Sequence, residues 1–121
     1  MPHGRVEHHK DLLVWKLGIE LVADVYRHTK QLPKEERFGL VSQMRRAAVS
    51  IPANISEGAA RGSTAEFARF VLIARGSLAE LETHLYVCDR LHALGGTEKL
   101  LARVTALRRM LINLYKTLVR R

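Results

Sequence analysis

The sequence predicts an all-α fold, an up-down-up-down antiparallel four-helix bundle, and three observations carry that expectation. Apolar residues recur at steps of three and four through four segments of the chain. With 47% hydrophobic residues, only 6% aromatic and 3 Pro, the chain has material for an aliphatic core and too little turn chemistry for many-stranded β structure. The segments are joined by connections of a few residues, which makes successive helices antiparallel neighbours. At 121 residues there is room for one domain, expected over residues 11–121 behind a flexible tail at 1–10.

The first helix is expected over about 11–31. Lys16, Glu20, Asp24, Arg27 and Gln31 form one polar stripe. The apolar residues from Leu13 to Tyr26 spread over roughly 200° of the circumference, wider than one core contact needs. The extra width either caps the bundle core or forms a subunit interface, and Leu13, Trp15, Leu17 and Leu21 are the interface candidates. Leu32-Pro33 ends this helix, because a residue before proline is driven out of the α region.

The second helix is expected over about 33–60, with Leu40, Met44, Ala47, Ala48, Ile51 and Ile55 as its buried stripe. Pro52 removes the hydrogen bond to the Ala48 carbonyl, which predicts a kink or short break near 48–52, with Ser50 and Asn54 placed to satisfy the freed groups. Gly58 and Gly62 flank a turn, and Ser63 followed by Glu66 is a capping box that starts the third helix, expected over 63–94. Its seam, Phe67, Val71, Ala74, Leu78, Leu81, Leu85, Cys88 and His92, alternates steps of four and three as in a heptad. Gly76 in mid-helix costs about 1 kcal/mol relative to alanine, which predicts close approach of another backbone there. Gly95-Gly96 then ends the helix, and Thr97 is expected to cap the fourth, over 97–119, whose apolar stripe runs from Leu100 to Leu118.

Charge separates the fourth helix from the rest. The chain has 20 Lys plus Arg against 12 Asp plus Glu, a formal +8, which makes a polyanion the first partner to consider. Residues 97–121 alone carry seven basic groups against Glu98. Lys99, Arg103, Arg109, Lys116, Arg120 and Arg121 fall within about 140° opposite the apolar stripe, a basic outer ridge, with Arg108 nearer the apolar edge. Such a ridge either contacts phosphates, joined by Arg45 of the second helix, or serves solubility. No apolar run approaches the roughly 20 residues of a membrane span, and Met1 to Lys10 lacks the apolar core of a signal peptide, so a cytoplasmic protein with no membrane partner is expected. The single cysteine, Cys88, excludes an internal disulfide and reads as a small buried hydrophobe.

The run from Gln43 to Gly58, QMRRAAVSIPANISEG, with Leu13-Val14-Trp15 upstream and Ala74 to Glu82, ARGSLAELE, downstream, resembles the four-helix bundle family of 23S rRNA intervening-sequence proteins over about residues 11–118. The resemblance implies an up-and-down bundle assembled as a ring-shaped homopentamer. The family is named for genes inside insertions of bacterial 23S rRNA genes, which is a location and not an activity. Distant relatives include the accessory variability determinants of diversity-generating retroelements, which bind nucleic acid and a reverse transcriptase; for this chain a reverse transcriptase partner is an analogy. Ser56 stands where the family more often has alanine. Five copies at +8 would carry a formal +40, a field that draws in nucleic acid.

An enzymatic reading finds little. Helical ribonucleases of the HEPN type need an Arg and a His at a short fixed spacing, whereas here His28 directly follows Arg27, His92 follows Arg90 by two and His84 follows Arg75 by nine. Arg46, Asn54, Glu57, Ser77 and Glu80 are expected to gather between the second and third helices. There they form either a catalytic or ligand site, or a polar cluster that satisfies backbone groups around Pro52. His3, Glu7, His8 and His9 have metal-binding chemistry but no fixed geometry, and His84 and His92 lie two turns apart, so no metal site and no cofactor are expected. Gly95-Gly96-Thr97 lacks the glycine spacing and preceding strand of a phosphate loop, and the long helices around Gly62-Ser63-Thr64 do not suit a helix-turn-helix. The sequence therefore predicts a non-enzymatic homo-oligomeric bundle that binds nucleic-acid backbone, the alternative being a scaffold that recruits a protein.

Overall fold

A computed structural model describes residues 12–120; the N-terminal tail with His3, Glu7, His8 and His9, and Arg121 at the other end, lie outside the described residues. Four helices, α1 (Leu13–Thr29), α2 (Ser42–Ala60), α3 (Thr64–Arg90) and α4 (Thr97–Val119), make up the fold, with no strand among the described residues. Each helix packs on the next, and α1 also meets α4, so the four close into a ring. The paired positions run in opposite directions along the three boundaries between successive helices: Thr29 and Gly18 of α1 face Arg45 and Pro52 of α2, Ser50 and Gly58 of α2 face Ser77 and Phe70 of α3, and Glu82 and Asp89 of α3 face Arg108 and Thr97 of α4. Leu21, Met44, Ile51, Ile55, Leu78, Leu81, Leu85, Leu107 and Leu111 are fully buried along the axis, where the expected stripes converge. No helix among the described residues is long and apolar enough to cross a membrane.

The second segment departs from expectation. The break falls not at Pro52 but before α2: residues 34–36 form a short 3₁₀ turn, residues 37–41 a wide turn, and Gly39 leaves the helical region at φ −103°, ψ −107°. Helix α2 then runs through Pro52 without interruption. Its pyrrolidine ring is buried and faces Gly18 of α1, where an added Cβ would lie 3.5 Å from the proline Cβ. That is an ordinary packing distance, so the ring lies in close contact with the neighbouring helix at Gly18 without crowding it. Asn54 Nδ2 donates to the Ser50 carbonyl at 2.7 Å and to Ser50 Oγ at 2.8 Å, so it serves Ser50 rather than the Ala48 carbonyl that proline frees.

Helix α3 starts at the expected cap but with only half of the capping box: the Glu66 amide donates to Ser63 Oγ at 3.1 Å, while the Glu66 carboxylate accepts from Arg69 instead of the Ser63 amide. It ends at Arg90, four residues short of expectation, because His92 takes a left-handed conformation at φ 52°. The Ala93 amide donates to the Cys88 carbonyl at 2.9 Å and the His92 amide to Asp89 at 3.1 Å, the paired bonds of a Schellman termination. His92 therefore terminates the seam rather than extending it. At the start of α4 Gly96, φ 77°, occupies the capping position, and Thr97 is instead buried with its hydroxyl donating to Asp89 Oδ1 at 3.0 Å.

The close approach expected at Gly76 occurs at Gly58. A Cβ on Gly58 would stand 2.6 Å from the Phe70 Cβ, whereas one on Gly76 would meet nothing within 4 Å. Gly58→Ala is accordingly expected to destabilise the fold by about 1–3 kcal/mol through overpacking of α2 on α3. Gly76→Ala should stabilise it by about 0.5–1 kcal/mol through helix propensity. Thermal or urea unfolding of the two variants checks both signs.

Candidate nucleic-acid interface

The ridge of α4 is divided by the packing of its neighbours. Arg103 leaves it: its guanidinium pairs with Asp24 of α1, whose carboxylate is only 9% exposed and is also held by Arg27 one turn along. Arg108 pairs with Glu82 across the α3–α4 boundary. Lys99, Arg109, Lys116 and Arg120 remain exposed and have no carboxylate partner among the described residues. Arg109, Lys116 and Arg120 lie within about 40° of one another and directly opposite the stripe of Leu100, Leu107, Leu111 and Leu118, so α4 aims them straight outward. Lys99 stands apart, at the other end of the helix.

Arg45 is structural as well as cationic. Its Nε donates to Thr29 Oγ1 at 2.9 Å and an Nη to the Tyr26 carbonyl at 3.3 Å, while its guanidinium lies 4.4 Å from the centre of the Tyr26 ring. Thr29 in turn donates to the Val25 carbonyl at 2.7 Å. Arg45 therefore ties the last turn of α1 to the first turn of α2, meeting one of the carbonyls at the end of α1. This linkage explains why the basic residue is only half-exposed.

The interface candidates of α1 separate in the same way. Leu21 is 1% exposed and spent inside the chain's own core, and Leu17 packs half-buried on that core beside Arg103 and Leu107 of α4. Leu13 is 60% exposed. Trp15 is half-buried and begins a second stripe, continued by Ile19 and Val22, that the wheel of α1 turns away from α4. That stripe ends at Tyr26 beneath Arg45.

The polar cluster between α2 and α3 assembles only at its centre, where Ser50 Oγ and Ser77 Oγ lie 2.8 Å apart and Asn54 joins them. Glu57 pairs with Arg61 at 2.7 Å, and Glu80 meets His84 at 3.5 Å. Arg46 and Glu57 share a face of α2 but stand eleven residues, about 16 Å, apart along its axis, too far to pair. No buried side-chain nitrogen or oxygen among the described residues lacks a hydrogen-bond partner, and no three His, Cys, Asp or Glu side chains among them converge as a metal would require. Cys88 is buried with its Sγ 3.7 Å from Met44 Sδ, and burial pushes its thiol above the ordinary range, with Glu36 adding to the rise.

The sequence profile of the family described as 23S rRNA-intervening sequence protein matches residues 10–113. No curated protein matches the chain. Among solved structures, a crystal structure of a protein with unknown function from the S23 ribosomal protein family of Bacteroides thetaiotaomicron aligns with a TM-score of 0.77 at 24% identity. The alignment covers 86% of this chain and 99% of that one. At that identity it shows a shared fold.

Two measurements test this description. A double-mutant cycle on Asp24→Asn and Arg103→Met should give a coupling of about 1 kcal/mol, the exposure of Arg103 keeping it below the value for a wholly buried pair. The neutral Cys88 thiol stabilises the fold fully below its unfolded pKa of about 8.5, and that contribution is lost as pH rises toward the raised folded value. Urea unfolding should show this decline above about pH 8.5, and alkylation of Cys88 at lower pH should proceed only as fast as the protein unfolds.

Proposed function

Because the chain belongs to the 23S rRNA-intervening sequence protein family, whose name records where its genes lie, we propose from the chemistry of its surface that it is a non-enzymatic, self-associating bundle that binds nucleic-acid backbone. The observation that carries this reading is the outward row of Arg109, Lys116 and Arg120, exposed and unpaired among the described residues. Each is spaced one or two turns from the next. Cations in that arrangement displace counterions from a run of phosphates without reading bases. The net charge of +8 strengthens the field they sit in.

Self-association is supported by α1, where Leu13 and Ile19 are exposed and Trp15 and Val22, packed against the core on one side, leave part of their apolar surface outside it. The non-enzymatic reading rests on the polar cluster, in which Glu57 and Glu80 turn to Arg61 and His84 instead of converging with Arg46. A serine pair held by an asparagine seals a helix contact, and among the described residues no carboxylate or imidazole bonds to either hydroxyl to activate it.

Charge reversal tests the proposal. The triple variant Arg109→Glu, Lys116→Glu, Arg120→Glu should lose at least ten-fold in affinity for duplex DNA and structured RNA by fluorescence anisotropy. Its salt slope should fall by about 2–3, while light scattering shows the same assembly as the parent. Unchanged affinity would remove the ridge from the interface and favour a protein partner for the bundle.

A further inference from the structure

Outside the α4 ridge, the most chemically pointed surface is the end of the bundle where α1 passes into α2. Phe38, in the wide turn before α2, is 88% exposed. A single exposed aromatic is ordinary, but this one stands among cations. The Arg37 guanidinium lies 5.9 Å from its ring centre, and Phe38 lines an open hollow of about 470 Å³ together with Arg37, Arg45, Arg46 and Tyr26. An adjoining hollow of about 370 Å³ shares Arg37 and Arg45 and adds Lys30 and Lys34. Three guanidinium groups thus line the hollow of the exposed ring, one of them, Arg45, already against Tyr26, and two lysines extend the positive surface into the adjoining hollow. Glu35 and Glu36 belong to the same connection but line neither hollow.

This combination separates nucleic acids by strandedness. Duplex phosphates are met by charge alone, whereas an exposed ring among cations is useful to unpaired bases, which stack on aromatic faces and guanidinium planes while their phosphates meet Arg and Lys. Covering Phe38 with an apolar protein surface would strip water from Arg37 and Arg46 with no compensating charge. A polyanion with flat apolar rings meets both requirements.

We infer that this end of the bundle is a single-strand nucleic-acid site, in which Phe38 stacks on an unpaired base and Arg37, Arg45 and Arg46 hold the flanking phosphates. The inference rests on the nucleic-acid reading above and adds a second contact surface with its own preference.

The test is an anisotropy titration of parent, Phe38→Ala and Phe38→Trp with a labelled single-stranded RNA of about a dozen nucleotides and with a hairpin duplex. Phe38→Ala should lose about ten-fold in single-strand affinity, the order of one base–aromatic stack, and change duplex affinity less than two-fold. Phe38→Trp should match or exceed the parent. Because the ring is exposed in the parent, circular dichroism should show both variants folded. Single-strand affinity within two-fold of the parent for Phe38→Ala overturns the inference and leaves the ridge standing if the duplex is still bound. Dissociation of the assembly by Phe38→Ala, seen in light scattering, also overturns it by assigning the ring to a second copy of the chain. A parent that binds neither probe at low salt overturns both readings together.

Discussion

The ring of four helices closes where α1 meets α4, and the polar contact there turns on one carboxylate. Asp24 is 9% exposed at its side chain and held from both sides by Arg27 and Arg103. A carboxylate at that depth is costly unless paired; Arg27 supplies one partner from the same helix, and the second, Arg103, is gained only when α4 sits at the level of Asp24. Apolar surfaces of leucine and valine slide past one another with small change in energy, whereas this contact specifies one register. It thereby fixes the rotation of α4 about its own axis, and with it the outward aim of Arg109, Lys116 and Arg120. The same helix is held from the other side by Arg108 on Glu82.

The basic charge of the chain is thereby sorted into two uses. Part of it holds helices together: Arg103 and Arg108 join α4 to its neighbours, Arg45 joins α1 to α2, and Arg61, paired with Glu57 of its own helix, reaches Glu66 of α3 at 3.9 Å. The rest faces solvent without a carboxylate, in a row along α4 and in a group around Phe38 at the α1–α2 end. These surfaces differ in chemistry as well as place. The row offers charge alone, whereas the group combines charge with flat rings, so the two would read different features of one polyanion.

Much of the fold was legible because helical periodicity and capping are local. The stripes of α3 and α4 and the Ser63–Glu66 cap depend on residues a few positions apart, and all appear where spacing puts them. What was illegible depends on a neighbouring helix. Pro52 looked like a break because the local rule counts the lost hydrogen bond and not the packing of its buried ring against α1. Gly58 could have been recognised, since it falls seven residues after Ile51 on the buried stripe, but Gly76 drew attention by standing in mid-helix. Asp24 sat on a polar stripe and read as exposed, and Arg103 and Arg45 read as free cations, because a helical wheel records direction and not partners. Phe38 carried no periodic signal at all, since its turn belongs to neither flanking helix.

The distribution of ties along α4 also bears on how the molecule breathes. Its first half is anchored by Thr97 to Asp89, by Arg103 to Asp24 and by Arg108 to Glu82, while beyond Arg108 no ion pair to a neighbouring helix is found among the described residues. The second half rests on apolar contacts, Leu111 and Leu118 buried and Tyr115 beside an open groove against Ala68 and Leu72 of α3. Amide protons should therefore be protected unequally, with the last turns of α4 exchanging through local fraying and the first turns only through opening of the ring. Arg109, Lys116 and Arg120 are thus carried on the half of the helix with the fewest polar ties, so that a polyanion bound there would tighten the frame as well as neutralise it.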